Sequence, residues 1–138
     1  MKIEHIGSTS IIGIKSKPII DIAVGINSFS VIEEIKDILE RNNFKYSKIK
    51  LKNTVVDFIC EQDGKRTHNI HFVIYDDIRW KEFILFRDYL NRYSDVAKEY
   101  ERLKIDLSNK YSNDAHKYTQ NKAEFIANVL KDAEKEFE

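Results

Sequence analysis

Along the 138 residues the spacing of apolar positions changes character once, at Asp76-Asp77. Before that point, short β-branched runs alternate with polar positions. After it, apolar residues recur every three or four places. The run from Pro18 through Val24 is expected as a strand, because proline lacks an N–H and tolerates the first strand position. Ser30-Val31-Ile32-Glu33 has the form of a capping box. Behind it Ile32, Ile35, Ile38 and Leu39 predict a helix to about Arg41, ended by Asn42-Asn43. Further strands are expected over Phe44 to Ile49, Thr54 to Glu61 and Arg66 to Tyr75, the last two joined by a hairpin turn at Asp63-Gly64.

The second half reads as helices. Ile78 to Tyr93 forms one, with Phe83, Phe86 and Leu90 inward. A Ser94-Asp95 cap starts the next, with Val96, Ala97, Tyr100, Leu103 and Leu107 on one stripe. Lys122 to about Glu136 forms the third, with Phe125, Ile126, Val129, Leu130 and Ala133 as its apolar face. Asn109 to Gln120 reads as the loop between them. No repeat or Pro/Gly linker divides the chain, so residues 1–138 are expected to form one domain. The fold class is α+β: a small mixed sheet in 1–77, with helices packed on it and a C-terminal helical cap in 78–138.

Composition narrows the function classes. The 23 basic and 23 acidic side chains cancel, so no long-range field steers the protein to nucleic acid or an anionic membrane. Cys60 stands alone, which excludes an internal disulfide and a Cys-based zinc site and fits a reducing compartment. No apolar run approaches the ~20 residues needed to span a bilayer. Met1-Lys2-Ile3-Glu4-His5 lacks the apolar stretch of a signal peptide, so a cytoplasmic protein is expected.

Strand alternation sorts the polar residues by face. Ile19, Asp21 and Ala23 share one side of their strand; Val55, Asp57, Ile59 and Glu61 share one side of theirs. Ile70, Phe72 and Ile74 read as core, which sends Asn69, His71 and Val73 to the opposite face. One face can therefore collect Asp21, Asp57 and His71. Two carboxylates and an imidazole make a candidate divalent-metal site. Beside it Gly7-Ser8-Thr9-Ser10 offers backbone N–H groups and hydroxyls suited to phosphate oxygens.

Each feature has a plainer reading that the residues leave open. The glycine-hydroxyl loop can be a turn and helix cap. Asp21 can pair with Lys15 or Lys17, Asp57 can be solvated, and one of His68 and His71 is expected to be structural. Arg87 either pairs with Asp88 on the solvent face or turns toward the cleft as a phosphate fork. Lys98, Lys104 and Lys110 are expected on a solvated face.

Glu4-His5-Ile6-Gly7-Ser8-Thr9-Ser10, then Gly13, then Lys17-Pro18-Ile19-Ile20-Asp21-Ile22 closely resemble the signature of the GrpB family. His71, the Phe86-Arg87-Asp88-Tyr89-Leu90 block, the Ala97, Tyr100 and Lys104 positions, and Tyr118 followed by Lys122 resemble it too. The resemblance runs over nearly the whole chain. It implies a nucleotidyltransferase-type fold, of which related domains occur fused to dephospho-CoA kinases. It places Gly7 and Ser8 on nucleotide phosphates, Asp21 as the first metal-binding carboxylate and Asp57 as the third.

Two departures accompany it. Ala23 stands where that superfamily carries a second acid, which weakens two-metal chemistry but not ligand binding. His71 as a substitute ligand would favour manganese or zinc over magnesium. The chain also begins almost at the loop, where family members usually carry a preceding helix. A late start or a truncation would each explain that.

The leading expectation is metal-dependent nucleotidyl transfer from a nucleoside triphosphate to an acceptor. Gly7, Ser8, Thr9 and Arg87 would hold phosphates, with Lys17 and Arg87 neutralising developing charge. Asp21, Asp57 and His71 would hold magnesium or manganese, with Asp21, Asp57 and Lys17 as the catalytic set. The alternative is a catalytically silent nucleotide- or metabolite-binding domain with a regulatory or scaffolding role.

Overall fold

The computed structural model describes residues 1–47 and 55–136; the expected strand positions Lys48, Ile49 and Thr54 lie outside them. Among the described residues the strands are β1 (Lys2–Ile6), β2 (Ile20–Ile26), β3 (Phe44–Tyr46), β4 (Val56–Gln62) and β5 (Lys65–Ile74). The helices are α1 (Ser30–Arg41), α2 (Ile78–Arg92), α3 (Ser94–Lys110) and α4 (Ala115–Glu136), and a single 3-10 turn covers Ser8–Ser10. The strands form one mixed sheet in the order β1-β2-β5-β4-β3. Among the described strands only β2 and β5 run parallel. This is the expected α+β class, with every described helix but α1 following the change of period at Asp76-Asp77.

Alternation along β2 and β5 builds two different faces. Val24, Ile26, Phe58, Ile70 and Phe72 pack with Ile32 of α1 into one core, where Phe58 and Phe72 meet edge to face at 5.7 Å. On the opposite face Ile6, Ala23 and Val73 pack under Trp80, with Phe83 and Ile84 of the same helix beside them. α2 therefore roofs the sheet, and α3 and α4 close a third apolar cluster behind it. That cluster holds Leu90, Ala97, Tyr100 and Val129, and it also takes in Ile11 of the segment between β1 and β2. No helix among the described residues is long and apolar enough to cross a membrane.

Several elements depart from the sequence expectation, each for a local reason. β1 was not expected; it pairs antiparallel with β2, placing His5 opposite Ile22 and Ile6 opposite Asp21. The strand expected from Pro18 starts at Ile20, because the Ile19 N–H turns back to the Lys17 carbonyl at 2.8 Å and holds Pro18 in a tight turn. The Ser30 capping box does not form. Phe29 is the N-cap residue, and the Ser30 hydroxyl instead lies 3.0 Å from that of Ser28. Ser94 is likewise already helical, because only Tyr93 separates α2 from α3 and its carbonyl accepts the Ala97 N–H.

The largest correction concerns the loop expected over Asn109 to Gln120. α3 continues to Lys110 and α4 begins at Ala115, seven residues before the expected start. Asp114 caps α4 by accepting the Lys117 N–H at 3.1 Å. The first two turns of α4 are polar, so no apolar stripe marks them.

Candidate functional site

The segment between β1 and β2 is held in shape from both ends. Gly7 has φ +74°, a left-handed conformation open to glycine, and its carbonyl accepts from both the N–H and the hydroxyl of Ser10. A Cβ built on Gly7 would stand 2.6 Å from Asp21 Oδ2, so the missing side chain is what lets the turn meet that carboxylate. The helical layer then pins the segment. Asn91 of α2 bonds Ser10 and Ile12, while Lys98 of α3 donates to the Gly13 carbonyl at 2.6 Å. Glu101 accepts from the Lys15 N–H.

The expected convergence on one sheet face is present. His71 stands in register between Ala23 on β2 and Asp57 on β4, and Asp21 pairs with Asn69 one step along. His71 Nδ1 lies 2.7 Å from Asp57 Oδ1, and Nε2 lies 3.1 Å from Asp21 Oδ1. Asn69 donates to that same Asp21 oxygen at 3.0 Å. Burial opposes charge on His71. The hydrogen bonds to Asp21 and Asp57, and their negative charges, outweigh it and push the imidazole up to about 9. Burial likewise opposes ionisation of Asp21. The bonds from His71 and Asn69, with the charges of His71 and Lys122, hold its carboxyl below the usual range. The three groups form an anion–cation–anion chain, with Phe83 of α2 packed 5.5 Å from the imidazole ring.

This geometry bears on the expected metal ligands. An imidazole that donates from both nitrogens has no lone pair to offer. Asp57 lies behind His71 and does not line the cleft in front of Asp21. The acid expected beside Asp21 is replaced by Ala23, which is fully buried beneath α2. Among the described residues no group of three His, Cys, Asp or Glu side chains is arranged to hold a metal ion. Of the three expected metal ligands only Asp21 faces the cleft.

In front of Asp21 opens a cleft of about 710 Å³, within the range of small-molecule sites. Ser8, Lys17 and Asp21 line it as expected, together with Lys15, Lys104, Lys122 and Asn69. Tyr111 and Tyr118 form the wall where α3 gives way to α4. Lys104, read from sequence as a solvated residue, is instead half-buried. Its Nζ donates to Ser8 Oγ at 2.6 Å and lies 4.7 Å from the centre of the Tyr100 ring. Burial first, then the neighbouring charges of Lys122 and Lys17, pull this amine down to about 8 against the opposing pull of Glu101 and Asp21. Among the described residues none of Lys15, Lys17, Lys104 and Lys122 forms an ion pair with a carboxylate.

Two expected phosphate ligands point elsewhere. The Thr9 hydroxyl lies 2.8 Å from His5 Nε2. Arg87 is outside the cleft lining; it donates to Glu4, to the His5 carbonyl and to Asp88, tying α2 to β1.

Comparison with known proteins bears on the family and the fold. The family model described as GrpB protein matches residues 1–132. The glutamate-rich protein GrpB of Alkalihalophilus pseudofirmus is 40% identical over 134 residues, covering 94% of this chain and 77% of the relative. The UPF0157 protein YqkA of Bacillus subtilis is 32% identical, covering 96% of this chain but 38% of its own length. The crystal structure of the conserved protein GrpB from Enterococcus faecalis superimposes with a TM-score of 0.85 at 28% identity, covering 99% of this chain and 82% of that one. With the model, the relatives and the superposition all spanning nearly the whole chain, this chain belongs to the GrpB family.

Proposed function

We propose that the cleft binds the phosphate chain of a nucleotide or a similarly sized phosphorylated metabolite. The observation that carries this reading is Lys104 reaching across from α3 to Ser8 Oγ, beside further lysines that have no carboxylate partners. The lysines Lys15, Lys17, Lys104 and Lys122 outnumber the carboxylates of Asp21 and Glu101 that line the same space, and an anionic ligand with several charges relieves their repulsion. The Ser8 hydroxyl, held by Lys104 at the cleft edge, supplies a neutral donor. The wall tyrosines offer flat apolar surface for the uncharged part of the ligand.

Metal-dependent nucleotidyl transfer to an acceptor is a second reading of the same cleft. Its support is the contact between the Gly7 turn and Asp21, the element that the resemblance assigns to phosphates and metal. It would require a cation brought with the nucleotide, because only Asp21 faces the cleft from the expected acid set.

Calorimetric titration with nucleoside triphosphates tests the binding reading, and pyrophosphate release with magnesium or manganese tests transfer. Binding without turnover supports the first reading alone. Absence of binding under any condition overturns both.

A further inference from the structure

We infer that the cleft holds its phosphorylated ligand without a divalent ion, with lysine ammonium groups supplying the countercharge. The inference rests on the phosphate-binding reading and deepens it. The first ground is the donor inventory. Asp21 Oδ1 already accepts from His71 and Asn69, and Oδ2 stands where a side chain on Gly7 would be. His71 Nδ1 and Nε2 both face carboxylates, and Ala23, its neighbour on β2, offers no ligand atom. Magnesium keeps a near-octahedral shell of oxygens; the second carboxylate lining the cleft, Glu101, is taken up by the Lys15 N–H and by Lys98, which leaves Asp21 a poor anchor by itself.

The second ground is the charge already present. Lys17, Lys104 and Lys122 line the same space as Asp21, and Lys104 Nζ is fixed on Ser8 Oγ. A divalent cation entering there meets three like charges at short range, whereas a phosphate chain meets three donors. Each Lys–phosphate contact does part of what a magnesium ion does elsewhere, and it needs no acid cluster.

The test is calorimetry on the full chain, with tripolyphosphate and ATP as probes, first in chelator and then with excess magnesium or manganese. Binding is expected in chelator, unchanged or weaker when metal is added, because the metal competes with the lysines for phosphate oxygens. Lys104→Met and Lys122→Met are each expected to weaken binding in chelator about tenfold, with thermal melting used to confirm that both variants fold. Binding that appears only with metal overturns this inference while leaving the phosphate reading intact. Binding in chelator that neither lysine variant weakens also overturns it. No binding of either probe under any condition overturns the phosphate reading and this inference together.

Discussion

Ala23 and His71 are direct neighbours across the parallel β2–β5 pair, and the small side chain lets α2 settle over the strand while the imidazole turns toward Asp21 and Asp57. A carboxylate at position 23 would occupy a fully buried place among Ile6, Val73 and Trp80. Ala23→Asp is therefore expected to destabilise the fold by at least ~3 kcal/mol. It would not restore an acid pair. Urea unfolding measures the cost; a stable variant that gains manganese affinity would contradict this account.

The Asp21–His71–Asp57 chain makes stability depend on pH in two directions. His71 is raised from 6.5 to about 9, so its contribution is complete below about pH 6.5 and lost as pH rises through 9. Asp21 is lowered from 3.8, so its contribution is present above that value and lost as pH falls through the folded-state value. Unfolding free energy is expected to fall by roughly 2 kcal/mol between about pH 6 and pH 8 on the His71 account, below the range in which Lys104 acts in the opposite direction. His71→Gln should remove most of that slope, and chemical denaturation across this range reads it directly.

The parts of this arrangement legible in the sequence are those carried by local period. Asp21, Asp57 and His71 fall on one face, as strand alternation allows once Ile70 and Phe72 are core, while the register that brings them side by side is not in the local pattern. The reversal at Asp63-Gly64 is legible for the same kind of reason, since both residues adopt positive φ. Lys104 was marked by resemblance, but its local pattern did not show it as a site residue. Its position on α3 reads as polar surface until the segment between β1 and β2 is folded against that helix, a contact between residues 96 positions apart. Tyr118 and Lys122 were marked by resemblance, yet the helix that carries them into the cleft begins with polar turns that have no periodic signal. Long-range contact decides what local pattern cannot.

Gly7→Ala tests how tightly the turn is fitted to the carboxylate. The new Cβ would stand 2.6 Å from Asp21 Oδ2 on a backbone with φ +74°, so both the turn and Asp21 must move. The expected cost is about 2 kcal/mol in unfolding free energy, with phosphate binding lost alongside it. Thermal melting and calorimetry on the one variant report the two effects separately.

Arg87→Ala separates a structural role from the phosphate role expected from sequence. The guanidinium bridges Glu4, the His5 carbonyl and Asp88, so its removal is expected to cost about 1–2 kcal/mol by loosening β1 from α2. Phosphate affinity should change less than twofold, because the side chain does not line the cleft. A large loss of affinity without a change in melting would assign Arg87 to the ligand after all.

Lys104 should make ligand affinity fall with rising pH. Its amine is pulled down to about 8, first by burial and then by the Lys122 charge, so the cation needed for phosphate is lost near the top of the physiological range. The sign for stability is the reverse. A folded-state value below the 10.5 of a free lysine means the charged amine opposes folding below about pH 8, and that penalty is relieved as pH rises toward 10.5. A bound phosphate restores the missing counter-ion and raises the amine again, so binding near pH 8 must take up protons. Calorimetry in buffers of different ionisation enthalpy should show that uptake directly. It should disappear in Lys104→Met, together with the fall in affinity between about pH 7 and pH 9.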